Sequence, residues 1–166
     1  MSKTLILNNK QIYQKINRIS YQIFEDNYTE KEIIIVGIEK KGYLFASKIS
    51  VQLKKISKIK ITLAKLIINK TDPLDNRANV DISTEEFNNK VIILVDDVLN
   101  SGKALIYGVK YLLDFPIKKM STVVLVDRNY KKFPIGTHYV GLSLSTTLQN
   151  HISVEFSDGN ISAFLS

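Results

Sequence analysis

The most constraining feature of the sequence is an apolar run that ends in acidic residues and occurs twice. Val91–Val95 leads into Asp96 and Asp97, and the run from Thr122 to Val126 leads into Asp127, 31 residues after Asp96. This spacing is about the length of one β-α-β unit, in which a helix joins two parallel strands. Runs rich in valine and isoleucine are typical of strands that are covered on both faces. The sequence therefore predicts parallel strands at both runs.

A third run of the same kind lies at Ile33–Ile38. Apolar residues at spacings of three and four predict three helices around these strands. The first helix contains the isoleucines from 12 to 23 and follows the amide N-cap candidates Asn8-Asn9. The second starts near Gly42, and the third runs from Gly102 to about Phe115.

The remaining apolar segments predict further strands. Residues 59–63 alternate apolar and polar side chains, as in a strand with one exposed face, and Tyr139–Leu144 is another candidate. Residues 152–156 and 161–165 flank Asp158-Gly159, a dipeptide favoured in two-residue hairpin turns. The predicted fold is α/β, a mostly parallel twisted sheet flanked by helices, with antiparallel strands near the C-terminus.

Residues 69–89 show no convincing periodicity. A structureless stretch of this length is uncommon inside a compact domain unless it has a function, such as closing over an active site. We therefore predict a single domain over residues 1–166 with a flexible lid loop at about 65–89.

Composition excludes several classes of protein. Cysteine is absent, so the chain has no disulfide framework, thiolate zinc site or cysteine nucleophile. The apolar runs are far shorter than the roughly 20 residues that span a bilayer, and Leu5–Leu7 is too short for a signal-peptide core of about 7 to 15 residues. We expect a cytoplasmic protein with no membrane partner.

Lysine supplies most of the excess positive charge. The 23 lysines and arginines against 16 acidic residues give a net charge of +7, which favours an anionic partner. Nine lysines lie between residues 40 and 70, where no acidic residue occurs. This local excess favours a polyanionic small substrate near the two ends of the segment, with a solvated face between them.

The segment that follows Val95 carries the clearest candidate chemistry. Unpaired N–H groups of Asn100, Ser101, Gly102, Lys103 and Ala104 at a helix start suit a phosphate. The ionised carboxylates of Asp96 and Asp97 accept hydrogen bonds only, so they suit vicinal hydroxyls or hydrated magnesium. Phosphate and diol together indicate a ribose 5-phosphate; the alternative is that the two acids cap the next helix. A Walker A loop is excluded, because it would need Gly in place of Asp97 and Ser or Thr in place of Ala104.

Residues 91–104 resemble the phosphoribosyl pyrophosphate (PRPP) signature of type I phosphoribosyltransferases. Val126-Asp127-Arg128, with Pro134 and then Tyr139–Gly141, resembles the segment V-D-R-G-H-R-E-L-P…Y-V-G of the bifunctional pyr operon attenuator and uracil phosphoribosyltransferase family. Ile35–Gly42 resembles its pyrophosphate loop L-V-G-I-x-x-R-G, and Arg18-Ile19 its first helix. The resemblance covers essentially the whole chain.

The resemblance implies Mg²⁺-dependent transfer of ribose 5-phosphate from PRPP to a nucleobase, with uracil favoured, and release of pyrophosphate. It implies that Asp96 and Asp97 act in catalysis, on the ribose hydroxyls and indirectly on magnesium, and that residues 100–104 bind the 5-phosphate. Its remaining implied contacts are Glu39, Lys40, Lys41 and Gly42 for pyrophosphate, and Val126, Asp127 and Arg128 for the base. A homodimer or higher homo-oligomer is also implied.

The sequence departs from the family pattern at the lid and the phosphate loop. Leu63-Ala64-Lys65-Leu66-Ile67 replaces L-Y-R-D-D, which leaves Lys65 as the expected catalytic contact from the lid, and Ala104 replaces a hydroxyl residue. The alternative function is a regulator that binds RNA or senses PRPP, with weak or no transfer. Arg18, Lys131 and Lys132 are the candidate RNA contacts, and a solvated basic face is the other interpretation of them.

Overall fold

The computed structural model describes residues 2–75 and 77–166. It contains three α-helices and nine strands within those residues. In chain order they are β1 Thr4–Leu7, α1 Asn9–Asn27, β2 Glu32–Ile38, α2 Lys41–Ile56, β3 Lys60–Ile67, β4 Asn79–Val80, β5 Val91–Leu99, α3 Lys103–Leu112, β6 Lys119–Asp127, β7 Tyr139–Ser143, β8 Ile152–Ser157 and β9 Asn160–Leu165.

The central sheet is mostly parallel, as predicted. Its six strands follow the order β4-β3-β2-β5-β6-β7. Five of them are parallel, and the short β4 at the edge pairs with β3 in the antiparallel sense. β2 and β5 occupy the middle, where Val91–Leu99 is buried along its whole length. Helices on both faces of the sheet explain why these strands are continuously apolar.

Alternate residues of each central strand pack into two separate cores. On one face, Ile33 and Ile93 join the apolar sides of α1 and α2. On the other face, Ile34 and Ile92 pack against α3 and against Phe87. The period-two alternation of side chains across a strand produces this division. The central sheet is therefore held from both sides, and the ends of its strands are positioned by both cores.

The antiparallel C-terminal strands form their own sheet. The prediction of the hairpin is confirmed, since β8 pairs with β9 and the turn residues Asp158 and Gly159 have φ values of 47° and 81°. These strands lie in a separate three-stranded sheet, in which β9 also pairs with β1, a strand that the sequence patterns did not predict. Leu7, Val154 and Ala163 of this small sheet pack into the core beneath α1 and α2.

Secondary structure occupies much of the predicted lid. Residues 65–67 belong to β3, residues 79–80 form β4, and Thr84–Phe87 form a 3₁₀ helix whose Phe87 is fully buried. Residues 69–89, which show no periodicity in sequence, thus contain a short strand and a 3₁₀ helix, and the first residues of the predicted lid at about 65–89 belong to β3. The longest part of this lid without helix or strand lies within residues 68–78, of which residue 76 is outside the described residues. We refer to the described part of 68–78 as the strap.

In the described part of the chain, no helix is long and apolar enough to cross a membrane.

The start of α1 provides a test of the local sequence signals. Asn8 accepts a hydrogen bond from the Gln11 N–H, and the Gln11 side chain accepts one from the Asn8 N–H, so both halves of a capping box are present. We expect Asn8→Ala to lower the free energy of unfolding by about 1 kcal/mol in urea titrations, whereas Asn8→Ser should retain most of it. Equal losses in the two variants would contradict a capping role.

Candidate active site

The two carboxylates predicted from sequence lie inside the central strand β5. The sequence suggested that Asp96 and Asp97 follow the end of the strand, but the strand continues to Leu99 and includes both residues. They are 3% and 8% exposed. A cavity of about 120 Å³ opens beside them at the carboxyl end of the sheet, and its lining consists of Lys70, the continuous stretch 96–105 and Val124. Ligands of open parallel sheets bind at this edge.

The 100–104 loop turns sharply into α3 within that cavity. Gly102 is the N-cap and has φ of 86°, and a Cβ there would lie 2.5 Å from Ile135 Cγ2, so glycine is required on both counts. The Ser101 hydroxyl accepts a hydrogen bond from the Lys103 N–H. The first-turn amides at Ala104 and Leu105 lack partners within the helix, as at any helix start. The loop therefore offers amide donors and a helix dipole to an anion.

Lys70 of the strap supplies the cation at the carboxylate pair. Its Nζ lies 2.8 Å from Asp96 Oδ1 and 3.7 Å from Asp97 Oδ1. Lys103 Nζ donates to the Thr71 carbonyl at 2.9 Å and holds the same strap against the 100–104 loop. No motif or periodicity marks Lys70 in the sequence, where it is one of the nine lysines between residues 40 and 70.

Lys65, the catalytic phosphate contact expected from the lid, lies outside the strap. Lys65 lies in β3, where its N–H donates to the Asp81 carboxylate. Its Nζ lies 4.6 Å from the centre of the Tyr43 ring. In the described structure, Lys70 and not Lys65 contacts the carboxylates.

Burial determines the electrostatics of the pair. Burial of Asp96 raises the pKa of its carboxyl to about 7; Lys70 opposes that rise, and Asp97 adds to it. Burial disfavours the charge of Lys70 as well, but the carboxylates of Asp96 and Asp97 outweigh it and raise the pKa of the ammonium. The site therefore favours ligand groups that bring positive charge or hydrogen-bond donors.

The predicted pyrophosphate residues line an adjoining groove of about 420 Å³. Glu39, Lys40 and Lys41 share this groove with Lys70, Asp97, Val98 and Asn100, and its far wall is residues 151–153 of the small sheet. The peptide bond between Glu39 and Lys40 is cis. A Cβ on Gly42 would lie 2.8 Å from Asp96 Oδ1 and 2.9 Å from the Val95 carbonyl oxygen. Glycine thus lets the start of α2 approach β5. His151 also lines the groove.

The predicted base segment lies next to the 100–104 loop. β5 and β6 are paired to their ends, with Leu99 opposite Asp127. Val126, Asp127 and Arg128 are all buried. The Asp127 carboxylate accepts a hydrogen bond from the Asn129 N–H, and the Arg128 side chain bonds to Asn100, Thr146 and Thr147. The Arg128 guanidinium is therefore already engaged by protein groups.

Of the three candidate RNA contacts, Arg18 and Lys131 have side chains that contact other groups of the protein, and Lys132 is exposed. Arg18 donates to the carbonyls of Val140 and Gly141 at 2.9 Å each and joins α1 to β7. Lys131 Nζ lies 3.8 Å from the Asp127 carboxylate. The Lys132 N–H donates to the Ser101 carbonyl and supports the 100–104 loop.

Comparison with known proteins finds relatives that match almost the whole chain. Residues 2–158 match the family described as "Phosphoribosyl transferase domain". The chain is 33% identical over 162 residues to "Bifunctional protein PyrR" of Clostridium kluyveri, covering 94% of this chain and 92% of that protein. It is 31% identical over 160 residues to the protein of the same name from Haemophilus ducreyi, covering 90% and 88%.

Solved structures share the fold at low sequence identity. A hypoxanthine-guanine phosphoribosyltransferase (hpt-2) from Bacillus anthracis aligns with a TM-score of 0.76 at 18% identity, covering 98% of this chain and 99% of that one. The hypoxanthine phosphoribosyltransferase of Trypanosoma cruzi aligns with a TM-score of 0.75 at 15% identity, covering 96% and 95%. The predicted fold class is confirmed.

The close approach of Gly42 to Asp96 gives a packing prediction. Gly42→Ala forces the start of α2 away from the Asp96 carboxylate. We expect this substitution to lower the free energy of unfolding by about 1 to 3 kcal/mol in urea titrations. Gly136→Ala is the matched control, because a Cβ there meets no atom within 4 Å. Equal effects of the two substitutions would contradict the tight contact.

The raised pKa of Asp96 predicts a stability that depends on pH. The folded chain holds this proton to about pH 7, whereas an exposed aspartate loses it near 3.8. The contribution of Asp96 to the stability of the folded chain is therefore fully present below about pH 4, and it is lost as the pH rises through about 7. Asp96→Asn avoids that loss, so its free energy of unfolding should exceed wild type by about 2 to 4 kcal/mol at about pH 8, and the gain should shrink towards about pH 4.

The measurement is urea unfolding at both pH values, with exposed Glu25→Gln as the control. An Asp96→Asn variant whose stability relative to wild type does not change with pH would refute the assignment.

Proposed function

The chain belongs to the phosphoribosyltransferase family, and we propose that it transfers ribose 5-phosphate from PRPP to a nucleobase, with uracil favoured, and releases pyrophosphate. The observation that carries this proposal is one cavity in which Asp96, Asp97 and the 100–104 loop meet. Carboxylates for a diol and amides for a phosphate lie together there. Uracil is favoured by the motif resemblance at residues 126–134 and 139–141.

The two carboxylates bind the ribose hydroxyls and stabilise the transition state. As the bond to pyrophosphate breaks, positive charge develops on the ribose ring, and buried carboxylates stabilise such charge more strongly than water does. The 100–104 loop holds the 5-phosphate with its amides and the helix dipole. Ala104 offers no hydroxyl to that phosphate, so the main chain carries this binding.

The groove beside the cavity receives the leaving pyrophosphate. Lys40 and Lys41 flank it, and their ammonium groups stabilise the negative charge that builds up on the leaving group. Lys70 lines both cavities, so it can move from Asp96 to the pyrophosphate when the ribose hydroxyls occupy the carboxylates. The strap that carries Lys70 excludes water, which otherwise hydrolyses PRPP.

Asp96 and Asp97 also fit the magnesium ion that the family uses. Mg²⁺ keeps several waters and is bound by one or two carboxylates together with substrate phosphates, which matches a carboxylate pair and no larger cluster of His, Cys, Asp and Glu in the described residues. When bound, the ion neutralises charge on the pyrophosphate. Asp96 and Asp97 would hold it indirectly, through PRPP or water.

The base lies beside Val126–Arg128, where main-chain groups read its edge. We also propose a cytoplasmic location and a homodimer or higher homo-oligomer. RNA binding through Arg18, Lys131 and Lys132 is not proposed, because Arg18 is bound to β7 and Lys131 is paired with Asp127.

A pyrophosphate-release assay with PRPP and Mg²⁺ tests the function. Uracil, hypoxanthine, guanine, adenine and orotate are offered separately, and uracil should give the highest kcat/KM. Release with another base alone would refute the choice of uracil. No release with any base, while PRPP still raises Tm, would refute transfer and leave a PRPP-binding protein.

The carboxylate pair is tested in the same assay. Asp96→Asn combined with Asp97→Asn should lower kcat/KM by about 10³-fold or more, on the order of 4 kcal/mol, because both groups that face the ribose lose their charge. Exposed Asp114→Asn is the control. Loss of folding in the double variant, seen by circular dichroism, would indicate that the two acids are needed for the fold and would contradict a purely catalytic role.

A further inference from the structure

Arg128 is a buried cation with only neutral partners. Its side chain donates from Nη1 to Asn100 Oδ1 at 3.2 Å, from Nε to Thr146 Oγ1 at 3.2 Å and from Nη2 to the Thr147 carbonyl at 3.0 Å. The residue is 9% exposed. Across residues 2–75 and 77–166, no carboxylate lies within 4.0 Å of it, and the nearby Asp127 is engaged by Asn129 and Lys131.

The three partners belong to two separate loops. Asn100 begins the 100–104 loop, whereas Thr146 and Thr147 lie between β7 and β8. The Thr146 hydroxyl also donates to the Arg128 carbonyl, so this contact is reciprocal. The Tyr130 ring, with its centre 5.5 Å from the guanidinium carbon, covers another side of the group. Arg128 thus bridges the proposed phosphate site and the loop at residues 146–147.

We propose that Arg128 is a positioning residue, which fixes Asn100 for phosphate binding and couples the 100–104 loop to the 146–147 loop, and that its guanidinium does not read the base. This inference rests on the proposed function for the identity of the phosphate site. It changes the role that the resemblance implied for Arg128.

The geometry requires an arginine. The three acceptors lie in different directions around the guanidinium and match its rigid, planar set of N–H donors. A lysine ammonium on a flexible stem cannot make all three contacts. Burial of a charge without a carboxylate is costly. A phosphate on the 100–104 loop would supply the missing negative charge nearby, so phosphate binding and the Arg128 contacts should strengthen one another.

The coupling can be measured without catalysis. Isothermal titration calorimetry with ribose 5-phosphate, at fixed Mg²⁺, reports on the phosphate loop and the ribose site without a contribution from the base, because this probe carries none. Arg128→Lys keeps the charge and loses the fork; we expect it to raise Kd about tenfold, the order of one hydrogen bond to a charged group. In an Asn100→Ala background, the same substitution should raise Kd by less than about twofold, because their shared contact is already absent.

A second pair of variants tests the distant loop and depends less on the fold of the Arg128 variant. Thr146→Val removes the hydroxyl that meets Nε, and should raise Kd for ribose 5-phosphate about threefold although Thr146 is on another loop. Thr147→Val is the matched control: within residues 2–75 and 77–166 its hydroxyl bonds only to Asn150, and its carbonyl still accepts from Arg128. The control should leave Kd unchanged.

The outcomes separate this inference from the proposed function. Multiplicative effects of Arg128→Lys and Asn100→Ala, or equal effects of the two threonine variants, would overturn the positioning role even if the wild type transfers ribose 5-phosphate. The same holds if Arg128→Lys changes only KM for the base. If the effects of Arg128→Lys and Asn100→Ala on Kd are non-additive but the wild type releases no pyrophosphate, the positioning role is supported and transfer is refuted. A wild type that does not bind ribose 5-phosphate would overturn both.

Discussion

The burial of two adjacent carboxylates in a central strand governs the arrangement of the site. Asp96 and Asp97 lie in β5, where water cannot stabilise their charge. The surrounding elements compensate: Lys70 pairs with both, the Asp97 N–H donates to Asp96 Oδ1, and Gly42 allows α2 to begin against them. These groups belong to the strap, to β5 itself and to α2. Three elements therefore converge on one point because the charge of that strand must be satisfied there.

Much of the fold could be predicted from sequence, because the signals for its central elements are local. Continuous valine and isoleucine runs indicate strands buried on both faces, and Asn8 and Gly102 mark helix starts. β1 escaped prediction because four residues carry no readable period and its pairing with β9 bridges almost the whole chain. The 3₁₀ helix escaped for the same reason, since only the burial of Phe87 in the core beside α3 fixes it.

The candidate site was predictable in its loop and less so in its cations. Asp96, Asp97 and residues 100–104 are contiguous, so one motif specifies them and the structure brings them to one cavity. The position of a lysine ammonium depends on where its backbone leaves the sheet. Because β3 continues through residue 67, Lys65 lies within the strand and the strap begins only after it. Lys70 of the strap therefore contacts the carboxylates. Sequence resemblance could not fix that offset.

The contrast between arginine and lysine extends across the structure. Arg18 and Arg128 each bind several fixed acceptors on other segments, Arg18 on β7 and Arg128 on two loops. Their planar forks hold backbone in place. The cations that face the proposed pyrophosphate path, Lys40, Lys41 and Lys70, are single ammonium groups on flexible stems. Such groups can follow the pyrophosphate group, which arrives as part of PRPP and leaves as a free ion. The excess of lysine around the site is therefore suited to a moving charge, and the few arginines to the frame around it.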